Sequence, residues 1–188
     1  MLRLPYSIIL ASGSPRRREL LTIAGIPFEV VPTYADETHP PGVLPEEIPQ
    51  ILAERKATSV PIGEGMIVIG ADTIVLLDGK IYEKPNGRED AIRMLTELSG
   101  RTHQVVTGVC LLSTTKKVSF SETTYVTFNR LTQDEIAYYV DNYRPYDKAG
   151  SYACQEWIGA VAIRKFEGDY FNVVGLPVNR VYEALKNW

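Results

Sequence analysis

An α/β fold is predicted for this 188-residue chain by three features of its sequence. The runs Ile8-Ile9-Leu10-Ala11 and Met66-Ile67-Val68-Ile69-Gly70-Ala71 have the continuous apolar, β-branched character of strands covered on both faces. Segments with helical spacing alternate with such runs. Two long stretches rich in β-formers, Thr102 to Leu112 and Val118 to Asn129, flank a polar tip and read as a hairpin.

Length permits a real core, so one domain, or one domain with two lobes, is expected. With 45% hydrophobic and 23% charged residues the chain reads as globular and soluble. A net charge of -3 provides no general attraction to nucleic acid, so basic clusters must act locally. Cys110 and Cys154 are too few for a disulfide framework and lack metal-ligand spacing; a reducing cytoplasm fits them best. The N-terminus has no signal-peptide layout, and no run approaches the roughly 20 apolar residues of a membrane span.

In chain order, Ile8 to Ala11 feeds a tight turn and a helix opened by Ser14 as N-cap and Pro15 at its first position. That helix ends near Gly25, and Phe28 to Val31 reads as a short strand. Pro32 to Pro45 is a loop carrying Asp36 and Glu37. From Pro45 to Ser59 a helix places Ile48, Leu52 and Lys56 on one stripe, which puts Lys56 on or near the buried side. A lysine there also fits a stem laid over the core with its amine in water. The strand from Met66 ends at Asp72-Thr73, and Ile74 to Leu77 resumes the pattern before Asp78-Gly79 turns into Ile81-Tyr82-Glu83. Asp72, at a strand mouth, reads equally as a catalytic acid or as a turn former.

Glu89 to Leu98 is a helix with Ala91, Met94, Leu95 and Leu98 inward, and Asp134 to Tyr143 is another, capped by Thr132 and built on Ile136, Tyr139 and Val140. Between that helix and the last lies the polar loop Asp147 to Gln155. Trp157 to Ile163 and Tyr170 to Val174 read as strands. Pro177 to Lys186 closes the chain as a helix with Val178, Val181, Tyr182 and Leu185 inward.

Arg16, Arg17 and Arg18 stand in the first turn of the first helix, where the positive end of the helix dipole disfavours cations. A phosphate would offset them by accepting from the free backbone N–H groups and from whichever guanidiniums reach it. Side chains about 100° apart cannot all face one ligand, so Arg16 and Arg17 are assigned to the phosphate and Arg18 to solvent. An exposed basic helix end is the alternative. His39 and His103 leave little room for a histidine triad or a zinc site, and His103 reads as a structural, hydrogen-bonded histidine within a strand. What remains is a phosphate-like cradle with lysines at 56, 84 and 148 and acids at 36, 37, 72 and 147. That inventory suits attack of a metal-activated water on a polyphosphate, with carboxylate oxygens holding Mg²⁺.

Six motifs in order resemble the Maf family of nucleoside triphosphate pyrophosphatases: Leu10 to Leu21 with Ser12-Gly13-Ser14-Pro15-Arg16-Arg17, Gly70-Ala71-Asp72-Thr73-Ile74-Val75, Glu83-Lys84-Pro85, Gly100 to Gly108, Asp147-Lys148-Ala149-Gly150-x-Tyr152, and Asn172-Val173-Val174-Gly175-Leu176-Pro177. The resemblance spans nearly the whole chain. It implies a cytoplasmic enzyme that converts a nucleoside triphosphate to the monophosphate and pyrophosphate with a divalent cation, Mg²⁺ or Mn²⁺. The implied fold is an elongated, twisted mixed β-sheet flanked by helices, with two lobes and a central cleft, as in inosine triphosphate pyrophosphatases. Asp72 matches the proton acceptor, Lys56 and Lys84 match family lysines, and Glu37 matches an acid near the metal. Ser12, Ser14, Arg16 and Arg17 match the triphosphate cradle.

Arg16, Thr73 and Gln155 resemble the dTTP/UTP branch at positions tied to base choice; a glutamine amide offers the donor and acceptor that the O4/N3 edge of uracil or thymine requires. Cys154, where an aliphatic residue is usual, and Glu156-Trp157, where glycine is common, depart from the pattern. A 7-methyl-GTP preference and a nucleotide-binding regulator of septum formation without turnover are the rival expectations. The partner implied is a small nucleotide, with no nucleic acid or membrane, and a homodimer is common in the family.

Overall fold

The computed structural model describes residues 5–188. The chain runs β1 (Ser7–Ala11), α1 (Pro15–Ile23), β2 (Glu29–Val30), a 3-10 turn (Pro45–Glu47), α2 (Ile48–Thr58), β3 (Met66–Leu77), β4 (Lys80–Tyr82), α3 (Arg88–Leu98), β5 (Thr102–Leu112) and β6 (Lys117–Phe128). It continues through α4 (Gln133–Tyr143), a second 3-10 turn (Ala149–Ser151), α5 (Trp157–Ala162), β7 (Ile163–Glu167), α6 (Tyr170–Val174) and α7 (Val178–Lys186). The strands form one mixed sheet in the order β2-β1-β3-β5-β6-β7, with β4 paired to β3. β1 runs parallel to β2 and β3, while the β3/β4 and β6/β7 pairs are antiparallel. The α/β expectation therefore holds. Among the described residues no helix is long and apolar enough to cross a membrane.

Contacts divide the chain into two units. The first holds the chain up to Thr73, Thr107–Glu122 and Gly175–Trp188; the second holds Ile74–Val106 and Thr123–Val174. The first is built on Ile9, Ala11, Ala53, Ala57, Val60, Val68 and Cys110. In the second, the inward faces of α3 (Ala91, Met94, Leu95, Leu98) and α4 (Ile136, Tyr139, Val140) pack with Val105 and Phe128. Both faces follow the predicted spacing, and Thr132 caps α4 through a full capping box with Glu135.

Three expectations are corrected. β3 does not stop at Asp72-Thr73 but runs unbroken to Leu77, so Asp72 sits inside a strand. A polar pair is tolerated there because the β1 ladder ends at Ala11–Gly70, two residues earlier. Trp157 to Ala162 is helical, with only Ile163 onward extended. Tyr170 to Val174 is also helical, started by Asp169, whose carboxylate accepts from Phe171 N–H at 2.7 Å. Aromatic and β-branched content signals a strand in both segments; packing of Ile158 and Ala162 into the core overrides it in the first, and the Asp169 cap in the second.

Candidate active site

The first unit assembles most of the candidate residues. Ser14 adopts an extended conformation at the head of α1 and its hydroxyl accepts from Arg17 N–H at 3.5 Å, with Pro15 opening the helix. Ser12 Oγ accepts from Ser14 N–H and from Arg17 Nη1, each at 3.2 Å. The rest of the Arg17 fork donates to Gly175 O at 2.9 Å and to Thr73 Oγ1 at 3.1 Å. Thr73 Oγ1 in turn shares a hydrogen bond with Thr107 Oγ1 at 2.9 Å. One guanidinium thus ties α1, β3 and the segment before α7 into a rigid cradle. Burial lowers the Arg17 pKa, and the nearby charge of Asp72 opposes that pull. Arg16 is half-buried in the same turn, while Arg18 is exposed as expected.

Lys56 reaches the other half of the site because α2 lies unusually close to the sheet. A Cβ on Gly70 of β3 would stand 2.2 Å from Ala53 O, and one on Gly108 of β5 would stand 2.2 Å from Gln50 N; glycine at both positions admits the helix backbone. The predicted stripe of Ile48, Leu52 and Lys56 faces inward. From there Lys56 Nζ donates to Asp72 Oδ1 at 2.7 Å and pairs with Glu37 Oε1 at 2.7 Å. The ammonium does not snorkel to water: its side chain is 11% exposed, Asp72 is 14% and Glu37 58% exposed.

Arg55 is a contributor that pattern reading missed. Its Nη1 donates to Thr38 O at 2.6 Å and Asp36 O at 3.2 Å, gripping the backbone on both sides of Glu37. Asp36 Oδ1 accepts from Thr38 N–H at 2.9 Å, and the Thr38 bonds lower the Asp36 pKa. The adjacent Arg55-Lys56 pair thus holds a long loop by backbone and by carboxylate. No spacing rule links residue 55 to residues 36–38, so only the fold reveals the grip.

Lys84 and Gln155 belong to the second unit, and both are exposed. Gly150 N–H donates to Glu83 O at 3.2 Å, which brings the Asp147-Lys148-Ala149-Gly150 turn to the Glu83-Lys84-Pro85 motif. His103 is structural, as the sequence indicated. It is 1% exposed, shares a 2.7 Å hydrogen bond with Tyr152, and stands edge-on to Phe128 and Tyr152. Burial pushes its pKa down to about 3.

Among the described residues no three acids, histidines or cysteines gather in a protein-only metal cage. Glu37 and Asp72 nevertheless converge on one cationic centre. Two hard carboxylates fit Mg²⁺ or Mn²⁺ when phosphate oxygens and water complete the shell, the usual arrangement for a metal carried with a nucleotide.

The family model described as Maf-like protein matches residues 7–188. A Bacteroides fragilis protein named dTTP/UTP pyrophosphatase is 51% identical over 185 residues, 96% of this chain and 95% of that relative. A Porphyromonas gingivalis protein of the same name is 49% identical over 189 residues, 97% of this chain and 94% of the relative. The solved Ham1 protein of Staphylococcus aureus is 19% identical over 96% of this chain and 98% of its own, with a TM-score of 0.52, a likeness of fold alone. A match of this extent places the protein in the Maf-like family.

Proposed function

We propose that this chain is a nucleoside triphosphate pyrophosphatase that hydrolyses dTTP and UTP to the nucleoside monophosphate and pyrophosphate with a divalent cation. The convergence of Asp72 and Glu37 on Lys56, in the same unit as an arginine-bearing helix N-terminus, carries the reading. The names of the full-length relatives support the substrate class. The N-terminus of α1 and Arg16 receive phosphate oxygens, while Arg17 keeps the surrounding loop in shape. Asp72 accepts the proton of the attacking water, and the phosphoanhydride between the α and β phosphates breaks to release pyrophosphate. Lys56 aims Asp72 through their 2.7 Å contact, and as a cation it offsets charge building on the phosphoryl oxygens. Glu37 and Asp72 would hold the metal, which when bound supplies charge neutralisation and water activation. Lys84 is assigned to phosphate charge and Gln155 to the pyrimidine edge, through its paired donor and acceptor.

The test is a panel of triphosphates incubated with purified protein and Mg²⁺, with products resolved by ion-exchange chromatography. dTTP and UTP are expected to yield the monophosphate and pyrophosphate faster than the purine nucleotides. Diphosphate plus orthophosphate, or binding without multiple turnover, contradicts the proposal.

A further inference from the structure

Gln155 is exposed, yet its neighbours on either side are tied down from inside the second unit. Tyr139 of α4 is fully buried, and its hydroxyl donates to the Glu156 carboxylate while accepting from Ala153 N–H at 3.2 Å. Lys148, at the start of the same loop and 9% exposed, pairs with Glu156 at 3.3 Å and closes the loop end to end. Behind it, a Cβ on Gly159 would stand 1.8 Å from Cys154 O, so α5 backs directly onto the residue preceding Gln155. Cys154 Sγ–H donates to Gln155 Oε1 at 3.6 Å.

This matters because a glutamine amide is ambiguous. Turned by half a revolution it exchanges donor for acceptor, and the 4-keto/N3–H edge of uracil and the 4-amino/N3 edge of cytosine differ by the same exchange. An amide free to turn reads both bases, so discrimination must come from what holds it. We propose that Tyr139 and Glu156 are positioning residues for Gln155, fixing the 148–156 loop so that the amide meets 4-keto pyrimidines in one orientation and rejects 4-amino pyrimidines. The inference rests on the proposed pyrimidine triphosphate activity and deepens it.

The experiment compares kcat and KM for UTP and CTP in the wild type, Tyr139→Phe, Glu156→Ala and Glu156→Gln, with circular dichroism as the check on folding. In Tyr139→Phe and Glu156→Ala the UTP-over-CTP ratio of kcat/KM is expected to fall about tenfold, chiefly through a higher KM for UTP. Glu156→Gln retains an acceptor for the Tyr139 hydroxyl and is expected to keep most of the ratio. An unchanged ratio in a folded variant, or equal losses for both nucleotides through kcat, overturns the inference. If Tyr139→Phe does not fold, Glu156→Ala decides alone. Wild-type protein that releases no pyrophosphate from UTP overturns the activity itself, a result distinct from a retained ratio.

Discussion

Lys56 sits between two carboxylates at 2.7 Å each, and this contact defines the chemistry available at the site. Removing the ammonium leaves Asp72 and Glu37 facing each other, a like-charge pair in a partly buried site. Lys56→Met is expected to lower kcat by about 10²–10⁴-fold, the range for losing a group that acts on developing charge, as measured by pyrophosphate release. Arg17 has a different task. Its fork ends on Ser12, Thr73 and Gly175, and lysine cannot reproduce three divergent bonds. Arg17→Lys is expected to destabilise the protein by about 1–3 kcal/mol in urea unfolding, because buried acceptors lose their donor. The exposure of Arg18 was legible in the sequence, since side chains 100° apart cannot all face one ligand. The sequence did not reveal that Arg17 spends its donors on the protein, because those partners lie 5, 56 and 158 residues distant.

At the scale of elements, the site depends on how closely α2 approaches the sheet. Gly70 and Gly108 set that distance, and a methyl at either would meet helix backbone rather than a yielding side chain. Gly70→Ala is expected to cost about 1–3 kcal/mol or more and to slow turnover by displacing Lys56; paired chemical-denaturation and kinetic measurements check both effects. Unchanged stability and rate would mean that the close approach is not what seats the lysine. The long amphipathic helices α3 and α4 were legible to within a residue or two, because three or four inward side chains repeat at helical spacing and Thr132 marks a start. α5 and α6 were not legible. They span six and five residues, too short to show a period, and the capping role of Asp169 at α6 appears only in the folded geometry.

For the molecule as a whole, β3, β5 and β6 each contribute residues to both contact units. We expect a single cooperative unfolding transition, since these three longest strands are divided between the units. Its acid sensitivity follows from His103. The folded-state pKa, about 3, lies below the ordinary value of 6.5, so the unfolded chain binds the extra proton between these limits. Stability from this group is fully present above pH 6.5 and declines by about 1.4 kcal/mol per pH unit as pH falls toward 3. Urea titrations at pH 7 and pH 5 should show that decline in the wild type and a shallower one in His103→Gln. The α/β class and the order of the motifs were readable from sequence, because both reside in local pattern. The pairing of Glu37 with Lys56 and Asp72 was not, because a loop without periodicity carries Glu37 to its place.

Phosphorus NMR of UTP with Mg²⁺, wild type against Asp72→Asn, reads out whether the carboxylate pair on Lys56 drives pyrophosphate release. The wild type is expected to convert UTP to UMP and pyrophosphate. Asp72→Asn, folded by circular dichroism, is expected to be slower by about 10²–10⁴-fold. UDP and orthophosphate as the products would contradict pyrophosphate release, and an Asp72→Asn rate close to wild type would remove Asp72 from this chemistry.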